Sequence, residues 1–195
     1  RVAVSGSHGT GKSTLIAAFL EEHPAYVHEP EAFESLADGI ELTPSEGPTP
    51  EGLHALLEHT IATVCLHKPG ALVVLERSPV DYLANAAASE RSWPRGSVAS
   101  FLEASVRVVP DAMRHLDLIV FLPVASRGIR PRSHENPRFR KRVDAVMRRA
   151  LIDDDYDLFG ETTSPRVVEL SPCPERRLAE LARCVRSGQI SSMRP

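Results

Sequence analysis

Five short strand-like runs set the terms on which this chain can fold. They are Val2–Val4, Ala25–Glu29 (AYVHE), Ala71–Leu75 (ALVVL), Leu118–Leu122 (LIVFL) and Arg166–Leu170. Between them, apolar residues recur at the three- and four-residue intervals of one helix face. Leu15, Ile16, Phe19 and Leu20 do so after the first run, and Leu53, Leu56, Leu57, Ile61 and Val64 after the second. Residues 80–89 and 98–109 read as helices split by the loop Arg91–Ser97. Phe139, Val143, Val146, Met147 and Ala150 line a further helix that Asn136-Pro137 opens as N-cap and first-turn proline. Leu178, Leu181, Ala182 and Val185 line the last, over 174–187. Runs such as ALVVL and LIVFL carry no polar alternation, as expected of strands covered on both faces. Parallel strands need long crossovers, and the intervening helices supply them. The pattern therefore specifies an α/β chain: a parallel sheet with helices on both faces. No internal repeat interrupts it.

The length of 195 residues fits one domain spanning 1–195. Residues 39–50 (GIELTPSEGPTP) have no period and read as a mobile loop. No apolar run approaches the ~18 residues of a membrane span, and Arg1 already leads into a strand rather than a signal peptide. Cys65, Cys173 and Cys184 are odd in number and lack C-x-x-C spacing. This excludes a disulfide framework and a Cys-rich zinc module, and it suits a reducing, cytoplasmic location.

The first strand runs into Gly6-Ser7-His8-Gly9-Thr10-Gly11-Lys12-Ser13, which fits G-x-x-x-x-G-K-[ST]. The glycines let the backbone wrap with its N–H groups turned inward on an anion. The following helix presents its positive end to the same phosphates. Lys12 supplies a point charge to the β- and γ-phosphates, and the Ser13 hydroxyl can ligate Mg²⁺. The position between a strand and a helix is the context that gives the motif its meaning. Gly6, Ser7, His8, Gly9, Thr10, Gly11, Lys12, Ser13 and Thr14 thus form the candidate ATP-binding set. His8 occupies a free position of the motif and is expected to be a variable residue rather than a catalyst.

In an open α/β sheet the ligand site lies off the carboxyl ends of the strands. The second strand ends Glu29-Pro30-Glu31 and the third Glu76-Arg77-Ser78. Glu76 fits the place of a carboxylate that holds Mg²⁺ opposite Ser13. Glu29 fits a base that accepts the proton of an attacking hydroxyl. The alternative for either is helix capping, and for Glu31 capping or solvation is the expectation. Arg77 is open between a structural ion pair and contact with substrate or phosphate.

Together, the phosphate loop, Glu29-Pro30 and Glu76-Arg77-Ser78 resemble the motif set of the deoxynucleoside kinases. The layout also resembles nicotinamide riboside kinase domains and the small AAA-labelled ATPases related to them. The resemblance implies that Glu29 is the base toward a sugar hydroxyl and that Glu76 and Arg77 serve metal and phosphate. Against it, aromatic residues make up only 5% of the chain, and no aromatic-rich base pocket is visible.

The net charge of −3 conceals a division. Residues 1–90 hold 13 acidic side chains against 4 basic, and residues 91–195 hold 13 against 19. Between Arg127 and Arg149 lie nine basic residues, opposed only by Glu135 and Asp144. In nucleoside and nucleotide kinases this place, here 125–136, is a lid whose arginines clamp the γ-phosphate and exclude water. Arg127, Arg130 and Arg132 are the candidates for that work. Arg138, Arg142, Arg148 and Arg149 are expected on a solvated helix face. Asp153, Asp154, Asp155 and Asp157 read as an exposed acidic turn able to pair with that helix. By the same resemblance, Ser171–Pro174 would lie against the adenine.

The fold expected is a three-layer α/β/α P-loop NTPase domain with a five-stranded parallel sheet of order 2-3-1-4-5. The activity expected is ATP- and Mg²⁺-dependent phosphoryl transfer to a small, nucleoside-like hydroxyl acceptor. Lys12, Glu29, Glu76, Arg77, Arg130 and Arg132 are the candidate catalytic residues, with Ser13 and Glu76 at the metal. A regulatory nucleotide-dependent ATPase and a polynucleotide 5′-kinase are the rival readings. The pI of about 6.3 and the scarcity of aromatics argue against a nucleic-acid partner. A homodimer is compatible with all three readings, and a membrane partner with none.

Overall fold

A computed structural model describes residues 1–36, 42–43, 47–124, 136–159 and 165–192. The strands are β1 (Val2–Ser5), β2 (Val27–Glu29), β3 (Leu42–Thr43), β4 (Gly47–Pro48), β5 (Val73–Glu76), β6 (Leu118–Phe121) and β7 (Arg166–Glu169). The helices are α1 (Lys12–Glu22), α2 (Ala32–Leu36), α3 (Pro50–Leu66), α4 (Pro79–Ala88), α5 (Ser97–Met113), α6 (Pro137–Leu151) and α7 (Pro174–Ser192). The main sheet runs β2-β5-β1-β6-β7 and every pairing in it is parallel. Counted along the chain within that sheet, the order is 2-3-1-4-5, the order expected of a P-loop domain.

Strand alternation sorts the core into two layers. Ala3, Val73, Leu75, Ile119 and Phe121 face one side and pack with side chains of α3, α4, α5 and α6. Val2, Val4, Val74, Leu118 and Val120 face the other and pack with α1 and α7 through Leu15, Ile16, Phe19, Leu181 and Val185. Both faces of β1, β5 and β6 are therefore covered, which explains their unbroken apolar sequence.

The edge strand β2 is different. It begins at Val27 rather than Ala25, because the Tyr26 N–H closes a turn onto the His23 carbonyl at 3.0 Å. Val27 is 61% exposed. Within the segment read as a mobile loop, Leu42–Thr43 pairs antiparallel with Gly47–Pro48. Residues 37–41 and 44–46 of that neighbourhood lie outside the described residues. Among the described residues, no helix is long and apolar enough to cross a membrane, and the three cysteines are unbridged.

On the basic helix α6, Arg138 and Arg149 are exposed and Arg142 and Arg148 partly so, and two of the four form surface ion pairs. Arg148 makes a two-pronged contact with Glu169 at 2.6 and 2.5 Å, and Arg149 Nε lies 2.6 Å from Asp155. Arg142 Nε donates to the Ala88 carbonyl at 3.2 Å and so ties α6 to α4. The Arg149–Asp155 contact joins the helix to the acidic turn that follows it, a pairing the sequence suggested.

Candidate functional site

Register places the site. In parallel pairing Val4 lies beside Glu76 and Ser5 beside Phe121, so the loops after β1, β5 and β6 leave the same end of the sheet. Gly6–Gly11 follows β1 and α1 begins at Lys12, with Gly11 in the left-handed region at φ 90° as its N-cap. Gly6 is required by close approach: a Cβ there would sit 2.8 Å from the Leu122 carbonyl oxygen and from Thr10 Oγ1. The loop braces itself, since Thr10 Oγ1 donates to the Ser7 carbonyl at 2.9 Å and Lys12 Nζ to the same oxygen at 3.3 Å.

The structure brings Ser13 and Glu76 together, with the Ser13 hydroxyl donating to Glu76 Oε1 at 3.0 Å. Both are hard oxygen donors, one opening α1 and the other ending β5. Among the described residues no cluster of three or more His, Cys, Asp or Glu forms a metal cage. A hydroxyl and one carboxylate suit Mg²⁺, which takes few protein ligands and completes its shell with water and substrate phosphate.

Arg77 follows Glu76 at φ 81°, a left-handed conformation that is costly for a residue with a long side chain. Its surroundings fix it there. Its own N–H donates to the Val4 carbonyl at 3.0 Å. Nε meets Glu31 Oε1 at 2.5 Å, and Nη1 meets Asp81 Oδ1 at 3.4 Å. Of the two roles open to Arg77, the structure shows the ion pair. Glu31 directly precedes α2 and its carbonyl accepts from the Glu34 N–H at 2.8 Å, while its side chain pairs with Arg77: burial pushes the carboxyl up, and the guanidinium holds it below the ordinary value.

Asp81 is the hub that the motif reading missed. It is fully buried and accepts from Gly6 N at 3.1 Å, Ser78 N at 2.9 Å and Ser78 Oγ at 3.1 Å, as well as from Arg77. Ser78 and Asp81 form the capping box of α4. The spacing Ser78-x-x-Asp81 was legible as a cap. Its reach to the phosphate loop was not.

A cavity of about 150 Å³ opens beside the loop, lined by His8, Glu31, Phe33, Leu53, Leu56, Arg77, Tyr82 and Asn85. Leu53 and Leu56 come from α3, and Tyr82 and Asn85 from α4. The Thr60 hydroxyl donates to the Tyr82 hydroxyl at 3.1 Å. His8 sits at the exposed rim, 3.4 Å from Arg77 Nη2. Arg77 first, then burial and Lys12, hold its imidazole well below its usual pKa, so it is neutral at pH 7. Lys12 is pushed down to about 8, by burial first and then by Arg77.

Glu29 is placed elsewhere. Its carboxylate lies 3.1 Å from His67 Nε2 and borders a much smaller cavity, of about 10 Å³, with Glu76, Arg77, His59 and Thr60. It does not line the larger cavity. Arg127, Arg130 and Arg132 lie outside the described residues. From the basic segment, Arg140 on α6 reaches the loop instead: Nη2 donates to the Gly9 carbonyl at 2.9 Å, and the Arg140 carbonyl accepts from Ser7 Oγ at 3.2 Å. Its place on the inward face, between Phe139 and Val143, was the available signal.

No family model and no curated protein matches this sequence. Solved structures do match by shape. Deoxyadenosine kinase from M. mycoides, with dCMP and a flexible dCDP bound, superposes at a TM-score of 0.66 with 13% identity over 95% of this chain and 98% of its own. The same enzyme with bound dATP superposes at 0.65 with 12% identity over 95% and 98%. Thymidylate kinase from Candida albicans does so at 0.64 with 12% identity over 96% and 91%. The chain has the fold of the P-loop nucleoside and nucleotide kinases. That likeness bears out the three-layer α/β/α architecture and the strand order.

Proposed function

We propose that this chain transfers the γ-phosphoryl group of ATP to a hydroxyl of a small, nucleoside-like acceptor. The observation that carries the reading is the cavity of about 150 Å³ beside the phosphate loop, where Glu31, Arg77, His8 and Asn85 converge on an otherwise apolar lining. In this reading the loop amides and Lys12 hold the phosphates, while Ser13 and Glu76 hold Mg²⁺, which supplies charge neutralisation at the phosphate oxygens. Arg130 and Arg132 are proposed to close over the transferred group, with Arg127 on the nucleotide. The fold neighbours include enzymes named for a nucleoside and for a nucleotide acceptor, and the charge in the cavity favours the former. Arg77 is matched by Glu31 and Asp81, and His8 is neutral, so the described lining carries no free cation for an acceptor phosphate.

Glu29 is proposed as the base through its place at the strand end. A second reading gives that role to Glu31, because Glu31 already faces the cavity. Labelled Mg-ATP with pooled nucleosides tests the activity: label on an acceptor supports the kinase. Phosphate release alone supports a regulatory ATPase, and label on 5′-hydroxyl oligonucleotides supports a polynucleotide kinase. Glu29→Gln and Glu31→Gln then separate the carboxylates. The true base loses transfer by roughly 10²-fold or more while ATP binding persists, and a Glu29→Gln chain that transfers within about threefold of the parent removes Glu29 from that role.

A further inference from the structure

Arg177 stands at the fourth position of α7, close to the positive end of a helix, where a cation is electrostatically misplaced. It is nevertheless only 2% exposed. No carboxylate lies within ion-pairing distance of it among the described residues. Instead its guanidinium donates to four backbone carbonyls. Nε reaches Ser171 at 2.8 Å, Nη2 reaches Pro123 at 3.2 Å and Pro172 at 3.5 Å, and Nη1 reaches the Thr10 carbonyl. Three separate segments meet on one side chain: the end of β6, the β7–α7 loop and the phosphate loop.

The last of these contacts has a geometric consequence. The peptide joining Thr10 to Gly11 is planar and trans, so its C=O and N–H point in opposite directions. A donor that holds the Thr10 carbonyl outward therefore turns the Gly11 N–H toward the interior of the loop, where an anion binds. Arg140 acts on the preceding peptide in the same sense through the Gly9 carbonyl. A flexible, glycine-rich loop gains its donor orientation from two buried arginines behind it, Arg140 through one Nη2 contact and Arg177 as a fork. Lysine cannot substitute for such a fork, because a point charge does not span carbonyls from three segments.

We propose that Arg177 is a positioning residue of the nucleotide site: it holds the Thr10–Gly11 peptide so that the Gly11 N–H faces the phosphates. The inference rests on the proposed ATP reading and adds a device to it. Binding of Mg-ATP and of inorganic tripolyphosphate to the full chain, measured by calorimetry, tests it. Arg177→Met should weaken both ligands by at least tenfold, with far-UV dichroism and a cooperative melt retained. Arg177→Lys should recover less than half of that loss on a logarithmic scale. A folded Arg177→Met that binds ATP within twofold of the parent overturns the inference. So does a loss confined to ATP and absent for tripolyphosphate, because the effect then lies away from the phosphates. If Arg177→Met does not fold, Arg177→Lys decides: at least threefold weaker binding of both ligands supports the role, and parental affinity refutes it. A parent chain that binds neither ligand removes the nucleotide reading and this inference together, a result distinct from an unchanged variant.

Discussion

Asp81→Ala is the substitution that most directly tests how this site is held. The carboxylate is fully buried and serves four donors, two of them backbone N–H groups at Gly6 and Ser78. Removing it leaves those N–H groups without a protein acceptor and leaves Arg77 with Glu31 alone. A hydrogen bond to a charged acceptor is worth about 1.5–3 kcal/mol, and breaking a buried charge pair costs about 3–5 kcal/mol. These terms share one group and do not add, so the expected loss is about 3–5 kcal/mol. For a domain of this size each kcal/mol moves the midpoint by roughly 2–4 °C, giving a fall in Tm of roughly 6–20 °C. Ser78→Ala is the internal control: it keeps the carboxylate and removes one hydroxyl, which donates to Asp81 and accepts from Ser5, so it should cost about 1.5–3 kcal/mol, less than Asp81→Ala. Calorimetric melts and urea titrations of both variants, without ligand, give the comparison. An Asp81→Ala chain within 1 kcal/mol of the parent, or no worse than Ser78→Ala, refutes the view of Asp81 as the hub joining the phosphate loop to α4.

Two further outcomes follow from the charges. Burial and Arg77 hold Lys12 near a pKa of about 8 in the free protein. The folded state therefore binds fewer protons than the unfolded between pH 8 and 10.5, and stability from this group rises with pH across that window. ATP phosphates restore the ammonium, so at pH 8 binding should take up about half a proton, read as a buffer-dependent binding enthalpy; an enthalpy independent of buffer refutes this. Ser13→Ala and Glu76→Gln each remove a Mg²⁺ donor in the proposed site. Each should move the Mg²⁺ needed for ATP-dependent stabilisation at least tenfold upward, and an unchanged Mg²⁺ midpoint removes that residue from the metal site.

The fold was legible because the layers are written as periods. ALVVL and LIVFL are apolar throughout since α3–α6 cover one side of the sheet and α1 and α7 the other. The edge strand was less legible. His23 and Tyr26 close a turn that consumes the first two residues of AYVHE, a local hydrogen bond that strand propensity does not encode. The basic segment was read as one lid with a solvated helix behind it. The acidic turn was legible as a partner of that helix, and Arg149 meets Asp155; Glu169 becomes the partner of Arg148 only when α6 is set against β7.

The site divided along the same line. Pairs joined by one loop, such as Lys12 with Ser13 or Ser78 with Asp81, follow from spacing. Pairs joined by tertiary approach do not: Glu31 to Arg77 spans 46 positions and Arg177 to Thr10 spans 167. Two residues at the end of the same strand thus took opposite courses. Glu29, in the strand, turns to His67 at the end of α3, whereas Glu31, just past Pro30, meets the guanidinium that the positive φ of Arg77 delivers. The phosphate loop shows the same logic most fully. Its motif specifies inward amides, but the outward carbonyls of Gly9 and Thr10 must also be satisfied. The chain meets that need with arginines from α6 and α7, so the excess positive charge of its second half is in part the scaffold of the loop near its beginning.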